Sequence, residues 1–312
     1  MQKTEFYFSS SDEIHDIHAV VWRPEGDVRA VLQISHGMTE YVNRYEELAE
    51  YLTARGILVV GNDHLGHGQS VIREEEWGFF ASGDAGGKVV RDLHTLMQRM
   101  RKEYPKVPYF LLGHSMGSFM ARRYVMTYGA DLDGAVFVGT GNQPYIQVVI
   151  GQMIVNFLSI FFGERYRSRL VNFLMFAFYN KRFKPVKTKY DWLSRNAENV
   201  DKYKKDKACT FQFTLNGYKT LFSTLAFIEK PVNIRQIPVQ LPILFLSGEE
   251  DPVGNYGKAV KQVCAIYKKR EIRDLTLKLY PQDRHELLNE LDRQNVFEYL
   301  YGWLNKRITE NK

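Results

Sequence analysis

One serine in the sequence lies in a pattern typical of a catalytic nucleophile. Ser115 is the middle residue of Gly-His-Ser-Met-Gly, residues 113–117, which lies between the apolar run YFLL and the run SFMARRYVMTYG. The first run is typical of a buried strand and the second of a helix. A serine in a sharp strand-to-helix turn needs glycine on both sides, because larger side chains would clash there. The pattern favours a nucleophile elbow at Ser115 over an ordinary glycine turn.

A serine hydroxyl becomes a good nucleophile when a histidine, itself oriented by a carboxylate, removes its proton. After an elbow of this kind the expected order along the chain is acid and then histidine. His285 is the only histidine after residue 114, so it is the predicted base. Asp251 is the preferred acid, because its distance from the predicted strand PILFLSG lets its loop turn back toward His285, and Pro252 stiffens that loop. The competing acids are Glu249, Glu250 and Asp283.

The negative oxygen that forms during acyl transfer needs backbone N–H donors set in place beforehand. Met38 follows the predicted strand AVLQIS and a glycine, and Met116 follows Ser115. We predict that the amides of these two methionines form the oxyanion hole. His36, in the same loop, is expected to be structural, because His285 already supplies a base.

Other motifs that resemble ligand sites are incomplete. His64 and His67 lie in a glycine-rich loop, but no glutamate or third histidine stands at metalloprotease spacing. The segment SGDAGGK, residues 82–88, lacks the first glycine and the final Ser/Thr of a phosphate-binding loop, and no Gly-x-Gly-x-x-Gly is present. We therefore expect neither a metal nor a nucleotide cofactor.

The elements around these residues alternate between strands and helices. EFYFSS and IHAVVW predict an antiparallel hairpin, and six later apolar strands follow, most of them separated by helical segments. Such βαβ alternation predicts a mostly parallel sheet that is covered by helices on both faces. Both Asp251 and His285 follow strands, at the sheet edge where open α/β sheets carry their active sites.

The alternation stops between about residues 141 and 237. We predict a core formed by residues 1–140 and 238–312, with residues 141–237 as a helical cap. Within the cap, residues 164–207 hold 13 lysine or arginine residues and 5 acidic residues, a net charge of +8. The remainder of the chain is close to neutral, since the whole carries +6.

Two apolar runs in the cap bear on membranes. Residues 145–163 are 19 uncharged residues, which is a membrane-spanning length. Polar or small residues recur there at helical spacing, so a cap helix is the preferred interpretation. Residues 170–180 are aromatic and flanked by basic residues, which suits a membrane surface. Packing of these helices on the core is the alternative.

Composition excludes several classes. The chain has 312 residues, of which 45% are hydrophobic and 25% charged, which is typical of a globular protein. A net charge of +6 confined to one aromatic-rich insert, without a nucleic-acid-binding motif, argues against nucleic acid as a partner. Two cysteines, Cys209 and Cys264, form no disulfide framework and are expected to be buried thiols. The first residues have no apolar leader, so a cytoplasmic protein is expected, with peripheral membrane contact as a further possibility.

Taken together, the motifs resemble those of α/β-hydrolases of the monoacylglycerol lipase and lysophospholipase group, also described as serine aminopeptidase S33 domains. The resemblance spans most of the chain and depends on six segments, which are SHGMTEYVNRY (35–45), NDHLGHGQS (62–70), GHSMGS (113–118), DWLSRNAENVDKYKKDKACTFQFT (191–214), SGEEDPVG (247–254) and YPQDRHELLNE (280–290). It implies an α/β-hydrolase fold, with a mostly parallel eight-stranded sheet and a helical cap inserted after strand 6. It also implies Ser115 as the nucleophile, Asp251 as the acid and His285 as the base. The oxyanion amides that it implies are those of Met38 and Met116. These are the residues that the motifs indicated above.

The expected function is hydrolysis of carboxylic esters with medium to long acyl chains, such as a monoacylglycerol or a lysophospholipid. The alternatives are a small-ester esterase, or an amidase or aminopeptidase of the same fold. An aminopeptidase would need acidic residues to bind a free amino terminus, whereas the cap is strongly basic. A binding module without catalysis is disfavoured, because Ser115, Asp251 and His285 are all present.

Overall fold

A single eight-stranded sheet forms the centre of the computed structural model, which describes residues 1–310. The strands are β1 (Gln2–Ser9), β2 (Asp16–Arg23), β3 (Ala30–Ser35), β4 (Ile57–Asn62), β5 (Tyr109–His114), β6 (Gly134–Val138), β7 (Ile243–Gly248) and β8 (Leu275–Tyr280). Their order across the sheet is β1-β2-β4-β3-β5-β6-β7-β8. Only the β1–β2 and β2–β4 pairs are antiparallel, so the predicted mostly parallel sheet is confirmed.

Helices cover both faces of this sheet. Those outside the segment between β6 and β7 are α1 (Glu46–Thr53), α2 (Ala85–Glu103), α3 (Met116–Tyr128), α10 (Lys258–Lys269) and α11 (Arg293–Glu310). Neighbouring strand residues such as Val31 and Leu32 belong to opposite faces, and both are fully buried. Burial on both sides explains why the central strands read as continuous apolar runs rather than alternating ones.

The segment between β6 and β7 contains helices and, within residues 1–310, no strand. These helices are α4 (Tyr145–Phe162), α5 (Arg169–Phe176), α6 (Ala197–Lys205), α7 (Lys207–Thr210), α8 (Leu215–Ile228) and α9 (Pro231–Ile234). We call residues 141–237 the insert. Helix α8 packs against α3 of the core, whereas α4 packs against α8. The insert therefore lies over the carboxyl edge of the sheet, although its status as a separate domain stays a prediction.

Helix α4 is much more exposed than a helix packed on the core. Among the described residues it is the one helix that is long and apolar enough to cross a membrane, judged by length and composition alone, and 11% of its span is buried. Val148 and Val155 face inward, while Met153, Phe157 and Ile160 are 60–79% exposed. The predicted helix is present, but most of its apolar side chains face solvent.

The two cysteines differ in environment. Cys209 is buried, as expected, and burial raises the pKa of its thiol. Cys264 is half-buried on α10, so the expectation that both thiols are buried is wrong for this residue.

Candidate active site

Ser115 lies in a strained turn between β5 and α3. Its backbone angles are φ 51° and ψ −121°, in the left-handed half of φ space that costs an L-residue free energy. Its N–H donates to the carbonyl of Val138, 2.9 Å away, which fixes the turn to the end of β6. The serine is half-buried and reaches a large cavity. The chain thus holds this side chain at the carboxyl edge of the sheet.

The glycines on either side of the turn leave no room for side chains. A Cβ on Gly113 would overlap the carbonyl of Gly117, and a Cβ on Gly117 would overlap the carbonyls of Ser35 and His36. Gly117 therefore lets the turn approach the end of β3, and Gly113 lets the two ends of the turn approach each other. This is the geometric reason, expected from the sequence, for the Gly-x-Ser-x-Gly pattern.

His285 and Asp251 meet on the neighbouring loops. His285 Nδ1 lies 3.0 Å from Asp251 Oδ2, and both side chains are buried. The other carboxylate oxygen of Asp251 accepts the N–H of Val253 at 2.8 Å. A carboxylate at Nδ1 holds the proton on that nitrogen, so Nε2 is left as the basic atom.

The three competing acids do not contact His285. Glu249 is exposed and Glu250 is half-buried on the same loop as Asp251. Asp283 is buried, but its carboxylate pairs with Arg195 of the insert. Of the four acids considered from the sequence, Asp251 is the one whose side chain reaches the imidazole.

The two amides predicted for the oxyanion hole border the same cavity as Ser115. Met38 lies in the loop after β3, and Met116 is the first residue of α3. Neither backbone N–H donates to a protein acceptor within residues 1–310. The first N–H groups of a helix lack intrahelical partners and carry the positive end of the helix dipole. Both amides are therefore available to a negatively charged oxygen.

A tryptophan of the insert packs on the histidine, which the sequence did not indicate. The ring of Trp192 lies 5.0 Å from that of His285, measured between centroids, and the ring of His114 lies 4.9 Å away on another side. Trp192 is part of the segment DWLSRN, which was among the resembling motifs but had no role assigned. The insert therefore contributes directly to the surroundings of the imidazole.

The cavity beside Ser115 is large and mostly apolar. Its volume is about 1290 Å³, which exceeds the usual range of roughly 300–1,000 Å³ for small-molecule pockets. Ser115 and His285 lie in its wall together with side chains of the insert, among them Val148, Ile154, Phe173, Met175, Phe176 and Phe222. The arrangement suits a ligand with a long apolar portion and a reactive polar group.

The histidines of the glycine-rich loop are structural in their contacts. His64 Nε2 lies 3.0 Å from the hydroxyl of Ser35, and His67 Nδ1 lies 3.0 Å from the carbonyl of Leu65. The N–H of His64 donates to His36 Nε2 at 2.9 Å, so His36 braces the same loop. Burial lowers the pKa of His67 to about 3, which keeps this ring neutral.

One group of carboxylates within residues 1–310 has a spacing that would suit a metal ion, namely Asp283, Glu290 and Asp292. Arg195 already pairs with all three. The guanidinium of Arg195 therefore already lies among these carboxylates.

Comparison with known proteins relates the whole chain to ester hydrolases. The family model described as Hydrolase_4, serine aminopeptidase S33, matches residues 26–292. The monoglyceride lipase of Rattus norvegicus is 29% identical over 290 residues, covering 92% of this chain and 86% of that protein. The monoacylglycerol lipase of Mycolicibacterium smegmatis is 26% identical over 297 residues, covering 91% of each chain.

A solved structure gives the same result for the fold. The carboxyl esterase from Bacillus coagulans, crystallised in complex with glycerol, has a TM-score of 0.90 and 27% identity, and the alignment covers 99% of both chains. The resemblance inferred from the motifs is thereby confirmed, as is the α/β-hydrolase fold. The chain belongs to the serine aminopeptidase S33 family of α/β-hydrolases and is a carboxylic ester hydrolase.

Proposed function

We propose that this enzyme hydrolyses monoacylglycerols or lysophospholipids with medium to long acyl chains, with Ser115 as nucleophile, His285 as base and Asp251 as the acid that orients it. The observation that carries the proposal is the apolar cavity of about 1290 Å³ with Ser115 and His285 in its wall. Both relatives named above are lipases of monoacylglycerols by name, which agrees with this substrate class.

The proposed reaction proceeds through an acyl-enzyme. Ser115 Oγ attacks the ester carbonyl while His285 Nε2 takes its proton, and the amides of Met38 and Met116 hold the resulting oxyanion. Collapse of this intermediate breaks the bond to the alcohol, which leaves with the proton from His285. Water, deprotonated by the same imidazole, then attacks the acyl carbon and releases the fatty acid and Ser115.

The cavity supports a preference for long acyl chains. Each buried methylene stabilises binding by ~0.8 kcal/mol, so affinity for the transition state rises with chain length until the cavity is full. Measuring kcat/KM for acetate, butyrate, octanoate and palmitate esters tests this. We expect octanoate and palmitate to exceed acetate. A clear preference for acetate would overturn the lipase proposal and support a small-ester esterase.

A matched pair of variants on α4 locates the acyl chain. Ile154 lines the cavity, whereas Asn156 is exposed and does not. Ile154→Trp should reduce kcat/KM for palmitate more than for butyrate, because the larger side chain fills part of the cavity that a long acyl chain would occupy. Asn156→Trp should leave the palmitate-to-butyrate ratio unchanged. Equal ratios in the two variants would place the acyl chain elsewhere.

An aminopeptidase or amidase function is less well supported. The carboxylates of Glu40 and Glu286 border the cavity and would be the groups to bind a free amino terminus. Both are already paired with Arg44. Aminoacyl amide substrates should therefore be hydrolysed far more slowly than octanoate esters, and comparable kcat/KM values for the two would favour the aminopeptidase alternative.

We further propose that the enzyme reaches its substrate on an anionic membrane surface through the exposed side of α4 and α5. We call this surface the apolar face, and its exposed side chains are Ile146, Met153, Phe157, Ile160, Phe161, Leu170, Phe173, Leu174 and Phe178. Exposed large apolar side chains in this number are typical of an interaction site. Arg169, Lys181 and Lys184 are exposed beside it and complement anionic headgroups.

Sedimentation with vesicles tests this contact. Binding is expected with vesicles containing phosphatidylserine at low salt, and it should weaken as salt screens the charges. Phe161→Glu should abolish binding, whereas Ile72→Glu, at a residue that is 70% exposed and belongs to the core rather than to the insert, should not. Equal binding of both variants, or no binding by the unaltered enzyme at low salt, would overturn the membrane proposal.

A further inference from the structure

Behind the nucleophile turn lies a buried histidine whose two ring nitrogens both face acceptors. His114 Nδ1 is 2.9 Å from Glu40 Oε1, and Nε2 is 3.3 Å from the carbonyl oxygen of His285. A carbonyl oxygen cannot donate, so Nε2 must carry a proton. The state of Nδ1 then depends on whether the carboxyl group of Glu40 is ionised.

The contacts of Glu40 show that both of its oxygens accept. Besides His114, Oε1 accepts from the hydroxyl of Tyr45 at 2.8 Å and from the N–H of Gly37. Oε2 accepts from the guanidinium of Arg44 at 2.8 Å. With donors on both oxygens the carboxylate is ionised, and it therefore needs a proton on His114 Nδ1 to complete the contact.

The surrounding charges balance only when His114 is positive. Arg44 also donates two hydrogen bonds to the carboxylate of Glu286, of 2.9 and 2.8 Å. Two buried carboxylates thus face one guanidinium, which leaves one negative charge to be neutralised. The other ionisable groups around His114 are the hydroxyl of Tyr45 and the imidazoles of His36 and His285.

From this geometry we propose that His114 is an imidazolium throughout the working pH range, and that the Glu40–His114 pair positions the catalytic loops. Glu40 accepts the N–H of Gly37, which precedes Met38 in the chain. His114 precedes Ser115 in the chain and holds the backbone of His285. One ion pair thereby joins the oxyanion loop, the nucleophile turn and the loop of the base. The positioning role depends on the proposed function of these residues, whereas the charge of His114 does not.

The pKa directions agree with this assignment. Burial disfavours the charged form of His114, but the hydrogen bond and the charge of Glu40 outweigh it and raise the pKa. For Glu40 the same burial penalty is outweighed by His114 and Arg44, so that the pKa of the carboxyl is lowered.

Nitrogen NMR of the full-length enzyme labelled at its histidines tests the charge directly. Comparison with His114→Gln assigns the resonances of this ring. We expect both ring nitrogens to show protonated shifts from pH 6 to pH 8, a range that extends well above the ordinary histidine pKa of about 6.5. In Glu40→Gln the same resonances should titrate at lower pH. A neutral ring in the unaltered enzyme at pH 7 would overturn the proposal.

Kinetics test the positioning role. Glu40→Gln and His114→Gln should lower kcat by up to ~10²-fold, as expected for misplaced reacting groups, with little change in KM. The alkaline limb of the pH profile should move to lower pH in Glu40→Gln, and Glu40→Asp should restore part of kcat. A merely structural pair would shift the melting temperature without these changes.

His18 provides a matched control. It is a buried histidine whose Nδ1 lies 2.9 Å from Asp63 Oδ2, outside the cavity. His18→Gln should retain kcat and its pH profile. If Glu40→Gln lowers kcat no more than His18→Gln does, the positioning role is wrong. If instead Ser115→Ala stays active, the proposed function fails while the NMR result for His114 stands.

Discussion

Nδ1 of His285 lies 3.0 Å from Oδ2 of Asp251, although 34 residues separate them in the chain. The two residues meet because β7 and β8 are parallel neighbours and each residue lies in the loop that follows its strand. Asp251 is held in turn by the N–H of Val253. The imidazole is thereby fixed with Nε2 as its free nitrogen.

Removing the charge of Asp251 should impair catalysis without unfolding the protein. We expect Asp251→Asn to lower kcat by up to ~10⁴-fold, because an amide favours the wrong imidazole tautomer. Glu250→Gln, on the same loop but without contact to His285, is the control and should retain kcat. Steady-state kinetics with an octanoate ester provide the measurement. A large loss in Glu250→Gln with near-normal Asp251→Asn would transfer the role of the acid.

A pair of glycine-to-alanine variants tests the close approach of the turn at Ser115 to β3. Gly117→Ala should destabilise the fold, since the new methyl group would overlap the backbone of Ser35 and His36. Gly302 lies exposed in α11 with nothing within 4 Å of a Cβ. Gly302→Ala should therefore stabilise the protein by about 0.5–1 kcal/mol, from helix propensity. Thermal unfolding measures both, and an equal effect of the two substitutions would refute the packing argument.

Asp283 should make stability depend on pH. Burial, with the charges of Glu290 and Asp292, raises the pKa of Asp283 from 3.8 to about 7, against the opposing charge of Arg195. At a pH between these two pKa values, Asp283 keeps its proton in the folded protein but releases it in the unfolded chain. The contribution of Asp283 to the free energy of unfolding therefore falls as pH rises from about 4 to about 7, and is constant above.

Melting temperatures between pH 5 and pH 8 test this. The decrease should be smaller in Asp283→Asn, which cannot titrate, than in the unaltered protein. Asp16→Asn, at an exposed position on β2, should keep the full decrease. An identical decrease in Asp283→Asn would show that Asp283 is ionised throughout the range.

The fold could be predicted from the sequence because its signals are local. Apolar runs such as AVLQIS and YFLL became β3 and β5, and the glycines around Ser115 marked the turn between β5 and α3. The lengths of the loops after β7 and β8 favoured Asp251 as the partner of His285, although Glu249, Glu250 and Asp283 stayed open. These inferences depended on patterns within about ten residues.

Contacts between distant segments could not be predicted in this way. Trp192 reaches His285 from the insert, and Glu40 reaches His114 across 74 residues of chain. Glu40 lies in the motif SHGMTEYVNRY, yet nothing in its spacing showed which histidine it would meet. The exposure of α4 was missed for a similar reason, because composition does not reveal which side of an apolar helix packs on α8.

The identity of the nucleophile is the central claim, and covalent labelling tests it most directly. The enzyme is treated with a fluorophosphonate, which reacts with an activated serine, and the modified peptide is identified by mass spectrometry. The label should be on Ser115, and Ser115→Ala should show neither labelling nor ester hydrolysis above background while its melting temperature is retained. Labelling of a different serine, or unchanged hydrolysis by Ser115→Ala, would contradict the account.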